Sequence, residues 1–451
     1  MARLFGTDGV RGIANKELTA ELAFWLGRAG AYILTNQRSR PRILIGRDTR
    51  ISGDMLESAL IAGIMSVGAD AVVAGVLPTP AVAYLTRYYC CDAGVMISAS
   101  HNPVQDNGIK FFDGRGFKLP DSAEDEIEAI VCAHSSLPAP EGLGVGRIIY
   151  MKDPVQDYID FLTETVSMRF DGMKLVLDCA NGAASAIAPR LFTALGAEVF
   201  AYYNLPDGGN INRECGSTHP ERMCELVKEH GADAGFAFDG DADRLIACDE
   251  NGDILDGDHV LAICGTYLLR QGKLNKETIV GTVMSNMGLD IACRQHGIRL
   301  EKTAVGDRYV LENMIKNGYN LGGEKSGHLI FLDHNTTGDG MLSALQLLSA
   351  VKAQDISFSK AAEMMVNLPQ VLMNVTVCNE CKAQYQDNPV ISQAIAYAET
   401  ELAGTGRVLV RPSGTEPLLR VMLEGKCEKQ LNELGEKIVQ AMVQELGGSV
   451  R

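Results

Sequence analysis

Short apolar runs closed by Gly, Pro or Ser alternate along most of this chain with longer stretches of helical pattern. Short runs bounded by turn residues read as strands, and the stretches between them as helices. The spans 43–45, 71–76 and 94–97 are predicted strands, with a helix over 54–67 among them. That order makes βαβ units and a mostly parallel sheet. A second set follows a helix near 153–168: strands 174–177, 198–202 and 234–238, with helices 184–195 and 220–230. The third has a helix at 260–270, a strand at 278–282 and helices at 288–296 and 307–317. After that the pattern changes. Strands at 370–377, 406–410 and 418–424 alternate with helices near 390–402 and 429–445, a β-α-β-β-α order. Three related α/β domains (1–153, 154–255 and 256–366) and a C-terminal α+β domain (367–451) are expected.

The length of 451 residues agrees, since a chain this long exceeds one ordinary core. With 57 acidic against 41 basic residues the net charge is −16. A nucleic acid or an anionic membrane needs extended basic surface, so neither is an expected partner. A phosphorylated small molecule would instead need a local basic pocket. The most apolar region, 60–85, contains Asp70, Pro78 and Pro80, which rules it out as a membrane span. The first residues run directly into a polar, Gly-rich segment, so no secretory leader is expected and the protein is placed in the cytoplasm. Oligomeric state is not legible in the pattern. The 12 cysteines are scattered, several within apolar runs (Cys179, Cys248, Cys264), and read as reduced core thiols. Cys378 and Cys381 form a lone CxxC without the second pair that a zinc site would bring.

The chemistry concentrates in polar clusters at or near predicted strand ends, where ligands bind in parallel sheets. Asp239-Gly240-Asp241-Ala242-Asp243-Arg244 follows the strand 234–238. In an extended segment alternate side chains share a face, so the three carboxylates are expected to point together. A divalent cation with a preference for oxygen is the ordinary way to hold them so close. An EF-hand loop would take Asp239, Asp241, Asp243 and Glu250 as ligands, but its sixth position needs Gly and is Arg244 here. The flanks read as strands, and Asn251-Gly252 as a hairpin turn. Ser98-Ala99-Ser100-His101-Asn102-Pro103 follows the strand 94–97 and reads either as a loop presenting a hydroxyl nucleophile or as an ordinary Ser turn. Gly322-Gly323-Glu324-Lys325-Ser326-Gly327-His328 lacks the spacing of a P-loop. Arg411-Pro412-Ser413-Gly414-Thr415-Glu416-Pro417 gathers a guanidinium, two hydroxyls and a bare Gly backbone, the makings of a phosphate nest.

Together and in this order, the four clusters resemble the α-D-phosphohexomutase family over the whole length. The resemblance implies four domains around a central cleft. It makes Ser100 the phosphorylated residue, with its phosphate and Asp239, Asp241 and Asp243 binding Mg²⁺. Arg11 and Lys110 match the cations beside the phosphoserine, and Ser98 is the inert neighbour. Glu324 and Ser326 would bond sugar hydroxyls. Arg411, Ser413, Gly414, Thr415 and Arg420 would grip the phosphate that is not being transferred. His101 and His328 either shuttle protons or orient loops. Three segments are similar to the amino-sugar branch: Phe5-Gly6-Thr7-Asp8-Gly9-Val10-Arg11-Gly12, Val305 to Val310, and Thr336 to Gly340. The reaction implied is interconversion of glucosamine 6-phosphate and glucosamine 1-phosphate, with glucosamine 1,6-bisphosphate as intermediate and activator. One departure is Lys325, where that branch commonly has Gln; it is expected to point away from the sugar. The rival readings are a glucose or mannose phosphomutase, a phosphatase with Asp239 as nucleophile, and a sugar-phosphate sensor without catalysis.

Overall fold

The computed structural model describes residues 3–6, 8–35, 40–378, 381–413 and 417–450. The chain separates into two compact units, one of 1–285 with 296–364, the other of 286–295 with 365–451. Four sheets organise them.

In the first sheet the strands lie in the order Val10–Ile13, Asp106–Asp113, Ala93–Ile97, Arg42–Arg47, Asp70–Val76, Ile148–Tyr150. The last four run parallel, as the βαβ pattern predicts, and the first two are antiparallel to their neighbours. The cause is local. The loop between Ala93–Ile97 and Asp106–Asp113 is too short for a crossover, so the chain can only return antiparallel. Ile43, Ile45, Val95 and Ile97 on the sheet pack with Leu26, Leu60 and Ile64 from the helices Ala20–Leu34 and Ser52–Ser66.

The second sheet is ordered Ile254–Leu255, Leu245–Asp249, Ala234–Phe238, Lys174–Asp178, Glu198–Tyr202. The helix expected over 184–195 is shorter, Ala188–Ala194, because Pro189 suits a first helical turn and starts it there. The third sheet is Arg299–Thr303, Thr278–Thr282, Leu321–Gly323, Leu329–Phe331. Its strand Arg299–Thr303 and the antiparallel pair Leu321–Gly323 and Leu329–Phe331 escape the pattern reading, being short and weakly alternating. So does the helix Gly340–Ala353, buried along nearly its whole length and therefore without an amphipathic period.

The fourth sheet, Gly406–Pro412, Leu418–Gly425, Gln370–Thr376, Ser449–Val450, is antiparallel throughout. Leu419, Val421 and Leu423 share one face by alternation and pack with Ile391, Leu431 and Ile438 of the helices Pro389–Glu401 and Glu428–Leu446. The reading of all cysteines as reduced thiols is corrected at one pair: Cys378 and Cys381 are joined by a disulfide. Among the described residues no helix is long and apolar enough to cross a membrane.

Candidate active site

Ser100 sits in the loop that follows the strand Ala93–Ile97 and takes a left-handed backbone, φ 53°. A β-carbon makes that conformation costly, so the surroundings must hold it. They do so from several sides. The Ser100 amide donates to Ser98 Oγ at 2.9 Å, and Ser98 Oγ donates to Asp48 at 2.6 Å. Asp48 is paired with buried Arg50, whose guanidinium donates to the carbonyls of Ser100 (3.1 Å) and Asn102 (2.5 Å). Asn212 donates to the same two carbonyls. Ser98 helps hold the loop beside Ser100, and Asp48 and Arg50 were missed in the sequence. Their signal was present: Arg47-Asp48-Thr49-Arg50 is a polar cluster at the end of a predicted strand.

The three carboxylates come together, but not by strand alternation. Residues 239–244 form a turn after the strand Ala234–Phe238, with Ala242 at φ 54°. The correction is physical: a turn wraps its side chains around a point, where an extended segment would space them along a line. One ligand oxygen from each of Asp239, Asp241 and Asp243 lies within 4.8 Å of the others, and all three residues are buried. Gly240 lets the turn approach the serine loop, since a β-carbon there would stand 2.6 Å from the Ser100 carbonyl oxygen. The Ser100 hydroxyl donates to Asp239 Oδ2 at 2.5 Å.

The donor set suits a metal ion. Asp241 Oδ2 is taken by Thr79 Oγ1 (2.6 Å) and Lys110 Nζ (2.9 Å), while Asp241 Oδ1 and Asp243 Oδ1 are buried with no hydrogen-bond partner among the described residues. Two such oxygens are costly unless a cation meets them. Burial, then Asp243 and Asp241, push the Asp239 carboxyl well above its ordinary value. At Asp243 burial acts in the same direction, yet His328 and Lys110 outweigh it and hold the carboxyl low. Glu250, the twelfth-position acid of the rejected EF-hand reading, accepts from Ser359 instead.

Lys110, on the strand Asp106–Asp113, is buried, and Asp241, Asp8 and Asp243 overcome that burial to raise its pKa. Arg11 pairs with Asp8 and stands 3.5 Å from Asn102 Oδ1. His101 Nδ1 lies 3.4 Å from Ser100 Oγ, and burial, then Arg244 and Arg11, depress the ring to about 4.

The predicted sugar loop is the connection between Leu321–Gly323 and Leu329–Phe331. Glu324 accepts the Gly306 amide at 3.0 Å, Ser326 is exposed, and Lys325 Nζ lies 4.0 Å from Asp256. His328 Nδ1 is 3.6 Å from Asp243, and Nε2 is 3.5 Å from Asp307. The two carboxylates draw the ring toward protonation against its burial, yet the Gly338 amide donates to Nε2 at 3.1 Å and needs its lone pair.

In the C-terminal unit Arg411 and Arg420 face each other in register across neighbouring strands. Burial, then Arg420, lower the pKa of Arg411. The Ser413 carbonyl accepts from Lys382 Nζ at 3.0 Å. Gly414 and Thr415 lie outside the described residues.

Phosphoglucomutase/phosphomannomutase family profiles match in series: alpha/beta/alpha domain I at residues 2–137, domain II at 156–252, domain III at 256–368 and the C-terminal domain at 372–441. Phosphoglucosamine mutase of Caldanaerobacter subterraneus subsp. tengcongensis is 56% identical over 446 residues, covering 99% of this chain and 100% of the relative. The Clostridium acetobutylicum phosphoglucosamine mutase is 57% identical over 441 residues, 98% of each chain. Among solved structures, a phosphoglucomutase/phosphomannomutase family protein from Burkholderia thailandensis superposes with TM-score 0.84 at 24% identity, covering 99% of both chains. An Aspergillus fumigatus N-acetylphosphoglucosamine mutase, in complex with GlcNAc-6P and magnesium, gives 0.70 at 16% identity, covering 97% of this chain and 95% of that one. At these identities the structures show the fold alone.

Proposed function

The chain belongs to the phosphoglucomutase/phosphomannomutase family, and we infer that it is an isomerase with phosphoglucosamine mutase activity, interconverting glucosamine 6-phosphate and glucosamine 1-phosphate. The observation that carries the reading is the Ser100 hydroxyl hydrogen-bonded to a buried three-carboxylate turn. A binding-only protein has no need of a hydroxyl nucleophile set against a metal site.

In the proposed cycle a phosphoserine at Ser100 gives its phosphoryl group to O1 of glucosamine 6-phosphate, and as the Ser100–phosphorus bond breaks the proton lost from O1 is restored on the Ser100 oxygen. The resulting 1,6-bisphosphate turns around and returns its 6-phosphate to Ser100, which leaves glucosamine 1-phosphate and a recharged enzyme. Free glucosamine 1,6-bisphosphate would then serve as activator. Lys110 and Arg11 offset charge on the transferred group. In the return step the Ser100 hydroxyl loses its proton as its bond to phosphorus forms. Lys110 and His101, whose Nδ1 lies 3.4 Å from Ser100 Oγ, are the proposed acceptors. Mg²⁺ is the proposed cation: Asp239, Asp241, Asp243 and the Ser100 phosphate would hold it, and when bound it neutralises charge on the phosphoryl oxygens. Glu324 and Ser326 are proposed for the sugar hydroxyls. Arg411, Ser413, Gly414, Thr415 and Arg420 are proposed for the phosphate that stays, and domain divisions near 153, 255 and 366 are proposed with them. A cytoplasmic location accords with a phosphorylated small-molecule substrate.

A side-by-side assay of the 6-phosphates of glucosamine, glucose and mannose, each with its 1,6-bisphosphate, tests the substrate. Glucosamine phosphate is expected to give much the highest kcat/KM. Equal or better turnover of glucose or mannose phosphate would overturn the amino-sugar assignment. Peptide mass spectrometry should find substoichiometric phosphate on Ser100; phosphate on Ser98 alone would overturn the nucleophile.

A further inference from the structure

Asp8 has one carboxylate oxygen 3.0 Å from Lys110 Nζ and the other 2.7 Å from Lys118 Nζ. Lys118 reaches on to Asp307, and Lys110 to Asp241 at 2.9 Å. Five charges thus alternate in sign from the metal turn to Asp307: Asp241, Lys110, Asp8, Lys118, Asp307. Beyond Asp307 the His328 ring lies 3.5 Å away, and its other nitrogen faces Asp243, so the series returns to the turn where it began. With His328 the members come from five separate stretches of chain, and the pattern reading did not single out Lys118. Two of the segments similar to the amino-sugar branch supply Asp8 and Asp307, and the third supplies the Gly338 amide on His328.

We propose that Lys118 is a positioning residue that sets Lys110 against Asp241 at one end and Asp307 against His328 at the other; this deepens the mutase reading and rests on it. Lys110 divides itself almost equally between Asp241 and Asp8, at 2.9 and 3.0 Å. That balance depends on Lys118, which satisfies the other oxygen of Asp8. Without it Asp8 gains negative charge uncompensated except by Lys110 and Arg11, and draws the Lys110 ammonium off Asp241. Coulomb energy between unit charges is steep at these separations in a partly desolvated site. Asp307 is released in the same stroke. Lys118 is three links from the metal turn and touches none of its ligands, so its loss acts only by displacing others. A misplacement on the order of 1 Å can cost about a hundredfold in rate.

The test compares Lys118→Met, Lys118→Arg and the doubly substituted Lys118→Met/Asp307→Asn in the full chain, each with a thermal unfolding curve. Lys118→Met is expected to lower kcat about a hundredfold with KM changed less than about threefold. Lys118→Arg, which keeps a cation between the two carboxylates, should return kcat to within about tenfold of wild type. The double variant removes one charge of each sign, so it should regain stability without regaining kcat. Wild-type kcat in Lys118→Met, or recovery of kcat together with stability in the double variant, would make the residue merely structural and overturn the proposal. If wild-type protein turns over no hexose or hexosamine phosphate, it is the mutase reading that fails. Calorimetric titration with Mn²⁺ then decides the coupling: Lys118→Met should bind at least about threefold tighter, because Asp241 loses part of its ammonium partner, and unchanged affinity would overturn it.

Discussion

Two charge clusters in this protein are built on opposite plans. Around the metal turn, carboxylates and ammonium groups alternate, and Lys110 is held between Asp8 and Asp241. In the C-terminal sheet two guanidinium groups, Arg411 and Arg420, stand opposite each other on neighbouring strands. Like charges placed directly across a sheet are destabilising. The first cluster is compensated from within and fixes positions. The second sets like charges side by side in a half-buried place, the arrangement proposed above to take a phosphate. Loss of a single charge should therefore lower stability and function together in the first, and move them in opposition in the second.

The strongest break is at the nucleophile. Ser100→Ala should eliminate turnover and leave intact protein without covalent phosphate, both read by coupled assay and intact mass; residual wild-type activity would remove Ser100 from the mechanism. Next is the cation. Chelation should lower turnover at least about a hundredfold, with recovery on Mg²⁺ but not on Ca²⁺, which relaxes the geometry around phosphate. Full activity in chelator would reduce the three-carboxylate turn to a structural motif.

Lys110→Met addresses the compensated cluster itself. Removing one partner of a buried ion pair leaves charge uncompensated and typically costs about 3 to 5 kcal/mol. Denaturant unfolding should report a loss of that order alongside lost turnover. Arg411→Ala is the counterpart, and its effect is smaller: about 1.5 to 3 kcal/mol of substrate binding, the usual worth of a charge-assisted hydrogen bond. Phosphorylation of Ser100 should persist, and folding stability should stay level or rise by less than about 1 kcal/mol as repulsion is relieved. Parallel loss of stability and binding at Arg411 would erase the contrast between the two clusters.

Much of the architecture was legible because it depends on local signals. Apolar strands such as Ala234–Phe238, amphipathic helices such as Asp307–Asn317 and the Asn251-Gly252 turn each declare themselves within a few residues. The helix Gly340–Ala353 did not, since full burial erases the period that marks a surface helix. The site divides along the same line. Ser100, the Asp239 turn and Arg411 sit in compact clusters whose residue types state their chemistry. Nothing near Lys118 in Phe117-Lys118-Leu119-Pro120 indicates that it bridges Asp8 and Asp307, each more than a hundred positions away.

What the sequence determined by itself is therefore the set of candidate reactive groups: a serine, three carboxylates and nearby cations. The tertiary structure decided their charges and distances. Asp239 and Asp243 are two residues of one type in one turn, yet the first is raised by burial and its fellow carboxylates while the second is held low by His328 and Lys110. Coulomb interactions depend on separation in space and on the solvent displaced between the groups, and neither quantity is a function of position along the chain.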